Sequence, residues 1–477
     1  MKVKSVPLGV DTSTPITRLA RTFQRFAEIE GSGGIVLLIC ALIGLALANS
    51  PWSQEYMNFL DRHFLVAFDP LFTLDLPLSQ WVNDGLMVVF FFVVGLEIKR
   101  EILIGELSSP RRAVLPIMAA TGGMVVPALI YVLFNHGGTG ERGWGIPMAT
   151  DIAFALGVLS LLGRRVPVSL KVFLTALAIA DDLGAVLVIA IFYTDTLNML
   201  ALELGILTLL ALVIFNRLGG RSLVVYGLLG LITWIDFFFS GVHATVAGVL
   251  VAMTIPVRNR IDAQTFLERG RRLLDWFEHH GGHGRHEIIT PDQRMAIHEL
   301  EQACKQVETP LHRFETILHP WVAYLIMPIF ALTNAGVALN LEMVRHLLSP
   351  VGLGIFFGLV VGKFVGIFTA TFLAVKLKLA VLPRNVRWVH VAGVACLGGM
   401  GFTMSLFIAG LAFGGHGFAV LRDAPHLALT VSSSADPLLH NVSKLAILTA
   451  SLTAGMLGSL ILLRVPMLSE AEAAAEE

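Results

Sequence analysis

From Lys171 to Tyr193 the chain reads KVFLTALAIADDLGAVLVIAIFY. Two adjacent carboxylates, Asp181 and Asp182, lie near the middle of this stretch among residues that are otherwise apolar or small. A segment of this length can cross a lipid bilayer as a helix. A charged side chain at that depth costs roughly 2.5–3.5 kcal/mol even on the lenient insertion scales. A neighbouring pair therefore indicates a function, and the first that it suggests is movement of cations or protons.

The composition of the whole chain agrees with a membrane setting. Of its residues, 55% are hydrophobic and 14% are charged, whereas an average soluble domain carries about 25% charged residues. Because a span needs about 20 predominantly apolar residues, the pattern predicts an all-α polytopic membrane protein with twelve transmembrane helices. The predicted spans are 33–49, 79–104, 112–134, 145–163, 168–193, 199–216, 222–239, 241–256, 319–338, 350–375, 388–412 and 442–463.

The basic residues of the short connections alternate between the two predicted sides of the membrane. One side receives most of them: Arg18, Arg21, Arg25, Lys99, Arg100, Arg111, Arg112, Arg164, Arg165, Lys171, Arg217, Arg221, Lys376, Lys378, Arg384, Arg387 and Arg464. The opposite connections hold Arg62, Arg142, Arg345 and Arg422. Since an excess of Lys and Arg marks cytoplasmic loops, we predict an even number of spans with both termini in the cytoplasm.

Polar segments divide the chain into five predicted regions. These are a cytoplasmic amphipathic segment at 1–32, spans one to eight at 33–256, a cytoplasmic polar insertion at 257–318, spans nine to twelve at 319–464 with an external loop at 413–440, and an acidic cytoplasmic tail at 465–477. The insertion holds two predicted amphipathic helices, 262–280 and 291–308. The Gly-rich loop between them carries four histidines, which are more often solvated than bound to a metal when no cysteine or paired acid is close.

The cysteines and the net charge exclude other classes of protein. Cys40, Cys304 and Cys396 are odd in number and scattered, so we predict free thiols rather than a disulfide framework. The formal net charge is -1 and no basic patch is present, so we expect no nucleic-acid partner.

Two predicted spans contain residues that interrupt a helix. In the fourth span, Thr150 and Asp151 closely follow Pro147. The eleventh span has a comparable weak point, because glycine commits the backbone poorly to helix. Its residues are Gly398, Gly399, Gly401 and Thr403. We therefore predict that both helices are broken.

The two breaks occupy corresponding places in the chain. Each falls in the middle span of a three-span unit, 112–193 or 350–463, and the predicted topology runs the two units in opposite senses. Interrupted spans at corresponding positions of an inverted repeat indicate the midplane site of a transporter. The hydropathy pattern thus predicts inverted-topology repeats.

Broken helices present terminal partial charges that need compensation in lipid. Asp151 can offset the positive ends, and Lys363, in the tenth span, can offset the negative ends or pair with an aspartate. A ladder of glycines beside Lys363 allows close approach of another helix: Gly354, Gly358, Gly362 and Gly366. A purely structural role explains Asp151 and Lys363 equally well. It does not explain Asp181 and Asp182, because one lysine neutralises only one of them and the other must take a proton or a cation.

Seven stretches of the chain resemble the NhaA family of sodium/proton antiporters. They are GLEIKRE from Gly95, MATDIAFALGVLSLLG from Met148, LAIADDLGAVLVIAIFYT from Leu177, SGVHATVAG from Ser240, HPWVAYLIMPIFALTNAGV from His319, GKFVGI from Gly362 and CLGGMGFTMSLFIA from Cys396. They run in order through nearly the whole membrane part, so the match is highly specific. The resemblance implies a secondary transporter, not an enzyme, whose fourth and eleventh helices are broken and cross each other.

The resemblance also implies roles for individual residues. Asp181 and Asp182 would carry the cation and protons, forming the Na+ site, and Thr150 would contribute an oxygen or hold the crossing. Asp151 and Lys363 would balance the helix ends, and Lys363 could also pair with Asp181. A pH-response cluster maps onto Glu97, Arg100, Glu101 and Glu315. For His243 and His319, which also match, hydrogen-bonded packing is the expected role.

The family resemblance further implies a setting in the cell. We expect a multi-pass protein of the bacterial inner membrane that exchanges cytoplasmic Na+ or Li+ for external protons in pH and sodium homeostasis, without a cofactor. Apolar alternation from Phe64 to Leu78 fits the family's β-hairpin in the first external loop, so we expect a homodimer.

Physical chemistry alone leads to the same mechanism. Desolvated carboxylates favour the protonated form, and Na+ is a hard ion that prefers oxygen ligands. Competition for the same oxygens makes exchange obligatory if the site faces one side at a time. If both aspartates release protons for each Na+ bound, transport is electrogenic.

Three rival classes fit the sequence less well. An organic-anion transporter with broken helices has less reason for adjacent aspartates. An intramembrane aspartyl protease needs its two carboxylates on different helices in Tyr-Asp and Gly-x-Gly-Asp settings, which frame neither aspartate here. A primary pump needs a nucleotide site, and GLVVGK, from Gly358 to Lys363, lacks the P-loop spacing and its following Ser or Thr.

Overall fold

A computed structural model describes residues 32–68, 72–194, 197–259, 261–279, 290–383, 385–414 and 436–466. The predicted amphipathic helix near the N-terminus lies outside these residues. So do most of the external loop, the acidic tail from 467 onward and three histidines of the insertion: His280, His283 and His286.

The described chain is built from helices, with one β-hairpin. Its α-helices are α1 (Ser32–Ala48), α2 (Ser53–Leu60), α3 (Met87–Leu103), α4 (Pro110–Asn135), α5 (Ile152–Leu161), α6 (Val168–Phe192), α7 (Met199–Arg217), α8 (Leu223–Ser240), α9 (Ala244–Thr254), α10 (Ala263–His279), α11 (Pro291–Val307), α12 (Pro310–Asn334), α13 (Leu341–His346), α14 (Pro350–Lys376), α15 (Trp388–Leu397), α16 (Phe402–Phe413) and α17 (Pro437–Leu463). Among the described residues, eight helices are long and apolar enough to cross a membrane, or up to ten if each of two bent pairs is one span. This confirms a helical polytopic membrane protein, the structure in which every backbone group is satisfied without water.

Two spans begin earlier than hydropathy predicts. Helix α12 starts at Pro310, inside the predicted insertion, because Thr309 accepts a hydrogen bond from the backbone N–H of His312 at 3.1 Å and caps the helix. Helix α17 starts at Pro437, where Asp436 accepts from two backbone N–H groups. Hydropathy locates the apolar part of a helix, whereas the capping side chain sets its first residue.

The polar regions fold as the pattern indicates. Helices α10 and α11 match the two helices predicted in the insertion, and they pack against each other. Between α2 and α3, β1 (His63–Phe68) pairs antiparallel with β2 (Phe72–Pro77). Leu74 and Leu76 of β2 are buried, whereas Phe64 and Leu65 of β1 are mostly exposed. Because neighbouring residues of a strand point to opposite faces, the hairpin exposes an apolar side chain on each face.

Helix α9 is too short to cross a membrane by itself. Its 11 residues rise about 16 Å, against a hydrocarbon core of about 30 Å. Side chains from neighbouring helices satisfy its last carbonyls. Lys99 Nζ donates to Met253 O at 2.6 Å and also to Ile255 O, and Asn216 Nδ2 donates to Thr254 O at 2.6 Å. Lys99 therefore supplies the positive charge that a helix C-terminus favours.

The glycine ladder of α14 faces α4. A Cβ on Gly362 would lie 2.8 Å from the Cα of Pro127, and one on Gly366 would overlap the backbone of Gly122. The two helices approach so closely because the contact is made by backbone. Lys363 directly follows the π-helical turn Gly358–Gly362. A π turn contains an extra residue and therefore rotates the side chains that follow it around the helix axis, Lys363 among them.

Candidate functional site

A buried ion pair lies at the centre of the molecule. Lys363 Nζ, on α14, donates to Asp181 Oδ2, on α6, at 2.7 Å, and both side chains are 0% exposed. The other oxygen of Asp181, Oδ1, is buried without a hydrogen-bond partner among the described residues. An ion pair in such surroundings persists only when each charge stays compensated, because desolvation of a single charge is expensive.

The second carboxylate of the pair lacks such a partner. Asp182 is 2% exposed, and no hydrogen bond reaches it from the described part of the chain, where its Oδ1 is buried and unpaired. Neighbouring residues of a helix point about 100° apart, so the ammonium that reaches Asp181 does not also bond Asp182. A buried carboxylate without a counter-charge takes a proton or a cation. The structure therefore contains one neutralised and one uncompensated acid side by side.

The fourth predicted span is broken at the place that the sequence indicates. A 3-10 helix, Glu141–Met148, is followed by extended backbone at Ala149 and Asp151, and then by α5. Asp151 Oδ1 accepts from the backbone N–H of Phe154 at 3.0 Å, which caps α5. Its Oδ2 accepts from the N–H and the hydroxyl of Thr403, at 3.1 and 2.5 Å, at the start of α16. One carboxylate thus compensates the positive ends of two helices.

The eleventh predicted span is broken as well, and its break contacts the first. Helices α15 and α16 are bent by 41° across residues 398–401. Thr150 Oγ1 donates to the carbonyl of Gly398 at 2.9 Å, so it satisfies the carboxyl end of α15. The backbone N–H of Asp151 donates to Met400 O at 2.7 Å, and Ser405 Oγ donates to Ile146 O at 2.8 Å. The two breaks therefore satisfy each other's backbone.

The glycines at the eleventh break allow neighbouring backbone to approach closely, and they do not adopt unusual backbone angles. Gly398 and Gly401 have φ of -57° and -89°, which other residues also adopt. A Cβ on Gly401 would lie 2.8 Å from the carbonyl oxygen of Ala149, and one on Gly399 would overlap the carbonyl of Leu359. The sequence argument located the break correctly, but the reason for glycine is contact with neighbouring backbone.

The four residues of the predicted pH-response cluster lie together on α3 and α12. Arg100 Nη1 lies 3.0 Å from Glu315 Oε2, and Arg100 Nη2 lies 3.8 Å from Glu101 Oε1. Glu97 Oε1 lies 4.0 Å from His319 Nδ1. The structure thus brings together acids, a fixed cation and a titratable ring, and the ring is one that we expected to be packed. His319 is instead 67% exposed.

The other matched histidine is packed as expected. His243 Nδ1 lies 2.7 Å from Thr245 Oγ1, and its Nε2 lies 3.5 Å from Asp84 Oδ1. Its ring packs edge-on against Phe407 at 5.3 Å between centroids. His243 is the residue directly before α9 and caps its first turn.

Sequence reasoning missed several charged residues within the spans. Lys444 is 9% exposed and, with Asp84, lines a cavity of about 550 Å³ near the ends of α16 and α17. Asp236 Oδ2 accepts from Thr208 Oγ1 at 3.3 Å. The signal was available, since each is a charged residue inside a predicted apolar span. These residues were missed because each is a single charged residue in an apolar segment and belongs to no recognisable motif.

Among the described residues, no group of three or more His, Cys, Asp or Glu side chains is placed to hold a metal ion. The two carboxylates at the buried site are oxygen donors, which suit a hard cation better than a transition metal.

Interrupted helices that meet near an uncompensated buried carboxylate are typical of one class of membrane protein, the secondary transporters. Comparison with known proteins identifies the family. A family model described as Na+/H+ antiporter 1 matches residues 24–462. A Na+/H+ antiporter NhaA of Oleidesulfovibrio alaskensis is 48% identical over 451 residues, which cover 94% of this chain and 95% of that protein. The proteins of the same name from Koribacter versatilis and Acidithiobacillus ferrooxidans are 46% and 47% identical, over 96% and 93% of this chain and 94% and 97% of their own lengths.

The chain belongs to the Na+/H+ antiporter 1 family. It is therefore a secondary transporter and not an enzyme, as the resemblance of its motifs predicted.

Proposed function

We propose that the protein exchanges cytoplasmic Na+ or Li+ for external protons, and that cation and protons compete for Asp181 and Asp182. The observation that carries this proposal is the pairing of Lys363 with Asp181 alone. It leaves Asp182 buried and without an ion pair or hydrogen bond to any residue that the structure describes. A group in that position changes occupancy at little structural cost, because whatever neutralises it also stabilises it.

The exchange proceeds through two alternative states of the carboxylates. With the site open to the cytoplasm, Na+ binds Asp182 and Asp181 and displaces two protons, one from Asp182 and one from the ion pair of Lys363 with Asp181. With the site open to the outside, the cation leaves and both protons return. Because two protons are exchanged for each Na+, more positive charge enters than leaves, and exchange is electrogenic.

Alternating access needs a mobile element beside a fixed site. The broken helices suit this role, because their contacts involve few bonds between short segments: Thr150 to Gly398, Asp151 to Thr403 and Ser405 to Ile146. In this proposal Thr150 and the backbone carbonyls near it add oxygens to the Na+ site. Gly399 and Gly401 keep the two breaks close.

The finer architecture belongs to the same proposal. Residues 78–103 form one helical segment, in which the π-helical stretch Trp81–Leu86 leads into α3. Counting this segment and the short α9 as spans gives twelve helices, with both termini in the cytoplasm and two inverted three-helix units. The fourth and eleventh helices then cross at their breaks. The resemblance places such a protein in the bacterial inner membrane as a homodimer. The exposed apolar side chains of the hairpin, Phe64 and Leu65, support the dimer contact.

We propose further that Glu97, Arg100, Glu101 and Glu315 form the pH response. The ion pair between Arg100 and Glu315 joins α3 to α12, so protonation of the acids weakens a contact between two helices. No resident cofactor takes part in the exchange as proposed.

The experiment is Na+-dependent proton movement in everted membrane vesicles, followed with a pH-sensitive dye across a range of pH. Asp182→Asn is expected to abolish the signal on addition of Na+ or Li+. The matched control is Asp275→Asn, which removes an exposed carboxylate of α10 and should leave exchange unchanged. Na+-dependent proton release that persists in correctly folded Asp182→Asn vesicles would remove the mechanism. Collapse of the membrane potential should alter the rate, since the exchange moves net charge.

A further inference from the structure

A second cavity lies apart from the ion site, between the ends of three membrane helices. It measures about 730 Å³ and opens between the start of α4, the start of α6 and the chain that follows α14. Three cations line it, Arg111, Arg112 and Lys378, against the single acid Glu106. The cavity therefore carries an excess of positive charge at one level of the membrane.

These cations are placed against local electrostatic preference. Arg111 and Arg112 lie in the first turn of α4, which contains no acidic residue, although the positive end of a helix favours anions. Arg112 lies 3.7 Å from Glu106, while Arg111 makes no ion pair with a described residue. An anion in the cavity would compensate both the arginines and the helix end.

Lys378 enters the cavity from a backbone conformation that suits glycine. Its φ is +58°, and it lies two residues after Lys376, the last residue of α14, and directly after the capping residue Leu377. A left-handed glycine commonly occupies this position at the end of a helix. The turn is closed by Lys378 N to Val375 O at 3.0 Å and Leu379 N to Ala374 O at 3.0 Å. A lysine there carries a steric penalty that glycine avoids, and in exchange it presents an ammonium to the cavity.

The rest of the cavity is apolar and runs along a membrane helix. Val168, Val172 and Ala176 line it at intervals of four residues, so they form one stripe on α6, about 12 Å long. Val168 and Val172 are 50% and 42% exposed, and Phe173 is buried behind them. The lining is thus charged at the helix ends and apolar toward the membrane interior.

We propose that this cavity binds an anionic phospholipid, with the phosphate against Arg111, Arg112 and Lys378 and an acyl chain along the Val168 to Ala176 stripe. Basic pockets between membrane helices recognise such headgroups. A soluble anion would leave the apolar stripe without a partner, whereas an acyl chain packs against it. The bound lipid stabilises the junction of α4, α6 and α14. This inference goes beyond the proposed ion exchange and does not depend on it.

The test is thermal unfolding of the purified full-length protein in detergent, titrated with phosphatidylglycerol, phosphatidylcholine or inorganic phosphate. Phosphatidylglycerol is expected to raise the unfolding midpoint saturably, and the other two are not. Removal of one cation should weaken apparent affinity about fivefold, and Arg111→Gln combined with Lys378→Gln about 25-fold, at roughly 1 kcal/mol per basic residue. Lys376→Gln is the matched control, because it removes a nearby exposed lysine that does not line the cavity.

A second variant separates lipid binding from misfolding. Lys378→Gly removes the charge and relieves the left-handed backbone, so the lipid-free midpoint should rise while the affinity for phosphatidylglycerol falls. Unchanged affinity in this variant and in the double variant would overturn the proposal. An equal effect of phosphatidylcholine would show an apolar groove without headgroup recognition, and displacement of the lipid by inorganic phosphate would show a soluble-anion site instead. Either result would also refute it.

Discussion

Replacement of Lys363 by methionine tests how the molecule tolerates its two buried acids. Methionine has a similar length and fills irregular space, so the change removes charge more than volume. The 2.7 Å bond to Asp181 is lost, and both partners are 0% exposed. Removal of one partner from a buried pair costs about 3–5 kcal/mol. The upper half of that range is expected, because Asp181 Oδ1 already has no hydrogen bond among the described residues and Asp182 is adjacent.

The double variant Lys363→Met with Asp181→Asn completes a double-mutant cycle, in which it is compared with the parent protein and the two single variants. It leaves neither an unpaired ammonium nor an unpaired carboxylate at this position. Replacement of both members of a buried pair is often close to neutral, so most of the stability lost in the single variant should return. The coupling free energy between the two positions follows from the four proteins of the cycle.

Equilibrium unfolding of the purified variants in mixed micelles measures these differences. The loss in Lys363→Met should be larger at alkaline than at mildly acidic pH, because a buried carboxyl that takes a proton no longer carries an unpaired charge. The reasoning fails if Lys363→Met is as stable as the parent at alkaline pH. It fails equally if Asp181→Asn does not rescue that variant.

Three further predictions concern packing, helix ends and pH response. Gly366→Ala should destabilise the protein by about 1–3 kcal/mol, because the added Cβ overlaps the backbone of Gly122. Gly410→Ala should be neutral or stabilising by up to about 1 kcal/mol, because a Cβ there meets nothing within 4 Å. Equilibrium unfolding in mixed micelles compares the two variants. Lys99→Met should destabilise by about 1–3 kcal/mol, because it leaves carbonyls at the end of α9 without their charged donor, and hydrogen exchange of α9 should rise. Arg100→Gln should destabilise the protein by about 1–3 kcal/mol, because Glu315, whose side chain is 8% exposed, loses its charged donor. It should also move the onset of vesicle activity to more alkaline pH, because loss of a cation favours protonated carboxyls.

Each of these has an outcome that contradicts it. Equal effects of the two alanine variants would mean that α14 and α4 do not meet through backbone. Unchanged exchange protection of α9 would show that Lys99 is not its cap. An Arg100→Gln protein with the parent pH profile would remove this arginine from the proposed pH response.

The sequence by itself determined the class of protein and located the adjacent aspartates inside an apolar span. Apolar length, charge alternation and adjacent aspartates are read along the chain, and the bilayer makes these local signals decisive because every spanning segment must satisfy its own backbone. The two breaks were equally local, since proline, glycine and polar residues inside an apolar run weaken a helix wherever it packs. The family followed from the order of the motifs.

Tertiary structure alone decided the partners. Hydropathy did not distinguish Asp181 from Asp182 as the partner of Lys363, because the choice depends on the rotation of α6 and on the π turn that sets the direction of the lysine. Nor did it show that one carboxylate, Asp151, caps two helices that are distant in sequence. Such contacts require that the spacing between separate helices be correct to within a few tenths of an ångström. That spacing is fixed by how the backbones pack and not by the residues of each segment alone.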